Sequence, residues 1–261
     1  MSGKVTSKDG TAIAYEKSGS GPAVVIVGGV IGDRSQQAPV AELLASDFTV
    51  FNFDRRGHGE SGDTHPYAVQ REIEDINAVL QEAGGSAFVY GTSGPGVLSL
   101  HAAAADPGAK ITKLAIWEPP FVVDESRPKV RDDYKAQLTE LLANDRRGDM
   151  VELFFTEAVG IPAEFVSQMR QAPWWSSQEA LAHTTVYDAT IMGDFSLPRD
   201  TLARVHVRTL VIDGGLSPWL SASADAVAAT LPSARRQTLA GQQHDVAPAA
   251  IAPALAEFFT S

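Results

Sequence analysis

The chain has 261 residues, enough for one large domain or two small ones, and is 44% hydrophobic and 20% charged, the composition of a globular protein. Its 21 basic and 32 acidic residues leave a formal net charge of −11, which repels phosphate backbones and anionic lipid and argues against nucleic-acid or membrane partners. Without cysteine there is no disulfide framework, thiolate nucleophile or thiolate metal site. The N-terminus holds no apolar signal segment, and no apolar run approaches the roughly 18 residues of a membrane span, so a cytoplasmic location is expected.

The first strand is predicted over residues 11–16, after an Asp9-Gly10 dipeptide of the kind that closes hairpins. After a second turn at 19–22, residues 23–27 are apolar and β-branched, the mark of a strand covered on both faces, and end in Gly28-Gly29. A helix around 38–45 leads to another apolar strand, 48–53. Ile73, Ile76, Val79, Leu80 and Ala83 recur at helical spacing over 72–83, and Gly84-Gly85 stops that helix. A strand at 87–90, a helix at 97–105 and a strand at 114–117, ended by Pro119-Pro120, come next. Near the C-terminus a strand at 209–212, a helix at 227–231, a strand near 236–239 and a helix at 251–259 resume the alternation. This order predicts the α/β class, with a mostly parallel sheet flanked by helices.

Residues 121–200 break the pattern. They show helical faces instead: Tyr134, Leu138, Leu141 and Leu142; Val151, Phe154, Phe155 and Val159; Phe165 and Met169. We expect a core of residues 1–120 and 201–261 with a helical lid, 121–200, inserted between the sixth and seventh strands. Such a lid lies over the carboxyl ends of the strands, where open parallel sheets bind ligands.

The sharpest chemical signal is Tyr90-Gly91-Thr92-Ser93-Gly94-Pro95-Gly96, between a strand and a helix. It follows G-x-S-x-G except that Pro95 holds the second glycine's place and Gly96 comes one later. Small residues allow a tight turn that pushes a serine hydroxyl out above the sheet, and the next helix offers free N–H groups to a developing oxyanion. Alone, the stretch also reads as a glycine-rich turn with an incidental serine.

Asp54-Arg55-Arg56-Gly57-His58-Gly59-Glu60-Ser61 follows an apolar strand and closely resembles the D-x-R-G-x-G-x-S turn after the fourth strand of α/β-hydrolases. Gly28-Gly29 stands where that family usually carries His-Gly, and Gln242-Gln243-His244 where it brings in its catalytic histidine. Over nearly its whole length the chain therefore resembles the serine-nucleophile branch of the α/β-hydrolase superfamily. The resemblance implies an α/β-hydrolase fold with a helical lid, Ser93 as nucleophile, His244 as base, and an oxyanion hole from the backbone N–H groups of Gly94 and Val30. Gly28 and Pro95 depart from the family pattern. Of the other histidines, His58 reads as a structural part of its turn, His65 lies in a polar loop, and His101 is two turns along the helix after Ser93. His183 belongs to the lid, on its surface or at the substrate, and His206 is exposed.

Many members carry the acid after the seventh strand, in a V-I-H-G-x-x-D-P stretch. Here Val211-Ile212-Asp213-Gly214-Gly215-Leu216-Ser217-Pro218 puts Ser217 at that place and Asp213 four residues early. Haloalkane dehalogenases and zearalenone lactonases instead carry a glutamate at the end of the sixth strand. The matching residue is Glu118, between an apolar strand and two prolines, an odd place for an idle charge. The expected triad is Ser93–Glu118–His244, with Asp213 second and the adjacent Asp245 third. The structural alternative pairs Glu118 with an arginine at the lid hinge.

In the lid, Trp174 and Trp175 cannot both face one way. One is expected to pack the lid onto the core and the other to line the substrate cavity, although each taken singly also reads as core. No metal-ligand cluster, P-loop lysine or G-x-G-x-x-G turn is present, so neither metal nor cofactor is expected. The expected activity is a serine hydrolase cleaving an ester, lactone or thioester of a small apolar substrate through an acyl-enzyme. A serine at 93 argues against haloalkane dehalogenases and epoxide hydrolases, which use aspartate. C–C bond hydrolases and cofactor-free haloperoxidases are close kin; the latter carry methionine where this chain has Gly94. The reading from another class is a hydrolase-fold binding protein or biosynthetic cyclase. Partners reduce to a small-molecule substrate, with the chain acting as a monomer or homodimer.

Overall fold

The apolar stretch at 23–27 forms a central strand, β3 (Ala23–Val27), with four of its five residues buried. The computed structural model describes residues 1–105 and 110–261. Strands β4 (Thr49–Phe53) and β5 (Ala87–Thr92) flank β3 in parallel, and β6 (Ile111–Trp117), β7 (Arg208–Gly215) and β8 (Ala234–Gln242) extend the parallel part beyond β5. At the other edge, β1 (Ser2–Thr6) and β2 (Ala12–Ser18) run antiparallel, giving eight strands in the order β1-β2-β4-β3-β5-β6-β7-β8. This is the α/β-hydrolase fold.

Alternation along each strand divides the core in two. Val25, Val27, Val89 and Ile116 face helices α2 (Val69–Glu82) and α3 (Ser93–Ala105), packing on Ile73, Ile76, Val97 and Leu98. Val24, Ile26, Tyr90 and Trp117 face α1 (Ala38–Leu44) and the C-terminal helix Pro248–Thr260, packing on Val40, Leu44, Ile251 and Phe258. With both faces covered, the strands read as near-continuous apolar runs.

Between β6 and β7 the chain inserts helices α4 (Tyr134–Ala143), α5 (Arg147–Leu153), α6 (Ala163–Met169), α7 (Trp175–Ala180), α8 (Thr184–Met192) and α9 (Arg199–Leu202), with a π-helical stretch, Phe154–Val159, after α5. Helix α10 (Pro218–Thr230) follows β7, and the C-terminal helix is α11. Among the described residues no helix is long and apolar enough to cross a membrane.

The elements differ from expectation in instructive ways. Strand β1 has no apolar run, only alternating exposed and half-buried positions, because it is an edge strand. Gly3 lies beneath the Tyr15 ring, where a Cβ would come within 2.6 Å of it. Helix α3 begins at Ser93 rather than 97, and α10 at Pro218 rather than 227. Helix α8 shows no apolar stripe in sequence because Thr184, Thr185 and Asp188 occupy buried positions.

Candidate active site

Ser93 directly follows β5, opens α3, and has φ of 53°. A left-handed backbone at a non-glycine residue is strained, and close packing of the turn must hold it. A Cβ on Gly91 would meet Gly96 Cα at 2.7 Å and Ser99 Oγ at 2.6 Å. Gly91 therefore lets the helix approach the strand, together with Gly96, where a Cβ would come within 3.1 Å of the Gly91 carbonyl oxygen. Pro95 falls in the first helical turn, where a missing N–H leaves no intrahelical bond unmade.

The loop after β3 lies beside this turn. Val27 pairs with Gly91 in the sheet, so both loops leave from the same level. Gly29 (φ 85°) and Ile31 (φ 44°) bend the loop, and a Cβ on Gly29 would come within 2.9 Å of the Gly32 carbonyl oxygen. At Gly28, where the family usually has histidine, a Cβ would collide with Gln37 Cγ at 2.5 Å. Gln37 fills the space that a larger residue at 28 would need. A Cβ built on Gly94 would lie 3.9 Å from Val30 Cγ2, so Val30 and Gly94 are neighbours across the two loops.

One strand further along, Thr92 pairs with Trp117, which puts Glu118 level with Ser93, each just past the end of its strand. Glu118 also has a positive φ, 43°, and is 2% exposed. Its backbone N–H donates to the Ile212 carbonyl at 2.9 Å, which fixes the chain's exit. Its Oε1 accepts the Gly214 N–H at 2.9 Å, and its Oε2 lies 2.7 Å from His244 Nδ1. A carboxylate only accepts, so the hydrogen of that bond is on Nδ1, and the neutral imidazole held this way offers its lone pair at Nε2. The Trp117 indole N–H donates to the His244 carbonyl at 2.8 Å, tying the histidine loop to β6.

Asp213 is engaged elsewhere. It accepts from Arg236 Nη1 at 2.8 Å, from the Ser221 hydroxyl and from the Gly215 N–H. Burial works to raise its carboxyl, but the Arg236 and Ser221 hydrogen bonds outweigh this and hold it below the usual range. Asp245 is exposed. Glu118 meets His244 and Gly214, not a hinge arginine.

The Asp54–Ser61 turn braces these loops. Asp54 accepts the backbone N–H of Arg34 at 2.7 Å and of Glu60 at 2.8 Å, and pairs with the Arg34 guanidinium. Ser61 donates to the Asp54 carbonyl at 2.7 Å. His58 is buried, with Nδ1 2.9 Å from the Arg56 carbonyl. Burial, with Arg55 beside it, pushes its imidazole down from the ordinary 6.5 to about 3, although Glu72 works against the shift. The unfolded chain thus takes up a proton near pH 6.5 that the folded chain refuses until about pH 3, so stability falls as pH drops through that window. By pH 5 the loss amounts to about 2 kcal/mol. His58→Phe cannot take up that proton, so its stability relative to wild type should improve by about that much between pH 7 and pH 5, read by urea denaturation. A constant difference would remove His58 from the acid response.

The remaining histidines stand apart, His65 on the surface with Nε2 3.7 Å from Asp63. His101 Nε2 lies 3.3 Å from the Ile191 carbonyl, His206 is exposed, and His183 Nε2 lies 3.7 Å from Asp63, over the Gly57 turn. In the insertion, Trp175 is buried and donates to Glu179 at 3.0 Å, whereas Trp174 is 43% exposed and stands edge-on to Phe155. Three contributions had no readable signal in the sequence: the Gly214 N–H on Glu118, the Trp117 indole on the His244 carbonyl, and Gln37 behind Gly28.

The sequence model of the Alpha/beta hydrolase family matches residues 24–254. The chain belongs to the α/β hydrolase family. A solved α/β hydrolase from Sphaerobacter thermophilus is 55% identical, with 98% of this chain and 100% of that one covered and a TM-score of 0.92. The pimeloyl-[acyl-carrier protein] methyl ester esterase of Xanthomonas campestris is 31% identical over 144 residues, 54% of this chain and 55% of the esterase. The uncharacterized hydrolase YraK of Bacillus subtilis is 35% identical over 95 residues, 35% of either chain. This α/β hydrolase thus matches about a third to a half of the length of these curated relatives.

Proposed function

We propose that this α/β hydrolase is a serine hydrolase acting on an ester, lactone or thioester of a small apolar substrate. Ser93 Oγ attacks the carbonyl carbon and its proton passes to His244 Nε2. The carbonyl electron pair moves onto oxygen, facing the N–H groups of Val30 and Gly94. Collapse of this intermediate breaks the bond to the alcohol or thiol, which leaves with the proton from His244. Water then frees the acyl group from Ser93 by the same route. Glu118 accepts the hydrogen bond from Nδ1–H throughout and stabilises the imidazolium.

The observation that carries this reading is the 2.7 Å contact between His244 and a buried Glu118, level with a strained Ser93. A protein that only binds has no use for a desolvated carboxylate holding one histidine tautomer. The partial likeness to a methyl ester esterase points the same way. The insertion serves as the lid, with Trp174 on its substrate side, and the chain works as a monomer or homodimer.

A fluorophosphonate probe tests the reading without knowledge of the substrate. Native protein should label stoichiometrically, with fluoride displaced from phosphorus, and Ser93→Ala should not label. Full resistance by folded wild type would favour the binding-protein or cyclase reading. A screen of esters of graded acyl length, lactones and thioesters, with Ser93→Ala as the blank, then narrows the substrate.

A further inference from the structure

Arg55 stands at the first variable position of the Asp54–Ser61 turn and is fully buried, which is costly for a guanidinium without partners. Its Nε and Nη2 form a two-pronged pair with Glu72 of α2, both at 2.7 Å. Its Nη1 bonds Asp188 of the inserted helix α8 at 2.7 Å and the main-chain carbonyl oxygen of Gly29 at 3.1 Å. The Tyr67 hydroxyl donates to Glu72 at 2.7 Å, and the Tyr67 ring stacks on Tyr187 of α8 at 3.9 Å between centroids. Helices α2 and α8 and the loop after β3 therefore meet on one cation.

The Gly29 carbonyl belongs to the same peptide plane as the Val30 N–H. In a trans peptide the two point in opposite directions, so gripping the oxygen fixes where the hydrogen aims. Gly29, with no Cβ, restricts the rotation of this plane about its Cα–C bond less than another residue would, so a partner on the oxygen matters more here. A cation on the carbonyl oxygen also polarises the amide and strengthens its N–H as a donor.

We propose that Arg55 is the positioning residue of the oxyanion hole, aiming the Val30 N–H through the Gly29 carbonyl. We further infer that Asp188 couples this aim to the seating of the inserted helices. The inference rests on the serine-hydrolase reading above. Asp188 and the Gly29 carbonyl share Nη1, so displacing α8 shifts the guanidinium that orients the donor. The insertion thereby acts on the chemistry as well as covering it.

The test compares 3-octylthio-1,1,1-trifluoropropan-2-one with its corresponding alcohol. Ser93 Oγ bonds to the ketone carbon, its proton goes to His244, and the carbonyl electron pair becomes an oxyanion in the hole. The alcohol fills the same space but forms no adduct. Arg55→Lys keeps a charge but cannot span all its acceptors; Asp188→Ala keeps the Arg55–Glu72 pair and decides alone if Arg55→Lys does not fold. Losing a whole oxyanion donor costs about 10²–10³-fold in rate, so a misaimed one should cost about 10- to 100-fold in kcat and in ketone affinity. KM and alcohol affinity should stay within about twofold, since they report ground-state binding. Asp188→Ala should move the same quantities by about three- to tenfold. Wild-type ketone affinity in either folded variant, or equal loss of ketone and alcohol, would overturn the proposal. If wild type binds the ketone no better than Ser93→Ala does, the serine-hydrolase reading itself fails.

Discussion

Ser93→Ala should fold like wild type and lose about 10⁶-fold in kcat, because nucleophile and base act as a unit and neither works alone. The fold should survive because alanine takes the left-handed backbone at 93 about as readily as serine, and the clash-sensitive contacts of the turn belong to Gly91 and Gly96. Binding and the two backbone donors remain, so residual rates about 10³–10⁴-fold above uncatalysed hydrolysis are expected. His244→Ala should fall nearly as far. The check is kcat on whichever ester the screen selects, with thermal unfolding of each variant beside it. A folded Ser93→Ala that keeps a hundredth of the activity would place the nucleophile elsewhere.

The second large effect separates two carboxylates. Glu118→Gln removes the charge facing the imidazolium, and its amide can turn an NH₂ toward Nδ1, which forces the proton to Nε2. That tautomer cannot accept from serine, so a loss of about 10⁴-fold, or about 5.5 kcal/mol of barrier, is expected. Asp213→Asn should act on stability instead. It weakens the bonds from Arg236 and Ser221 and should cost about 1–2 kcal/mol of folding free energy while kcat stays within a few fold. Measured side by side, a collapse in Asp213→Asn with near-normal Glu118→Gln would reverse the two roles.

The contrast shows what a sequence reveals of a site. Glu118 stands out because a charge between an apolar strand and two prolines has no solvent to face, a conflict visible without coordinates. The central strands are legible for a related reason: covered on both faces, they are built almost entirely of apolar residues, with a rare buried polar exception such as Asn52 in β4. Asp188 gives no such signal. It lies in helix α8 among threonines, and its partner Arg55 is 133 positions away, so it reads as solvated charge until the fold buries both. Helix α8 itself disappears from the pattern, since buried polar residues erase the stripe that marks a helix. Backbone groups are more hidden still. The Val30 N–H, the Gly29 carbonyl and the Gly214 N–H leave no trace in residue identity, and only glycines at tight bends hint at where they lie.

The cooperation of Ser93, His244 and Glu118 is tested most directly by the rate at which a fluorophosphonate modifies Ser93, which needs no natural substrate. Wild type, Glu118→Gln, His244→Ala and the double variant should be compared after each is shown to fold. A working triad requires that both single variants label far more slowly than wild type and that the double label no more slowly than His244→Ala, because Glu118 acts only through the imidazole. Wild-type labelling of Glu118→Gln, or a double variant slowed by the product of the two single effects, would contradict it.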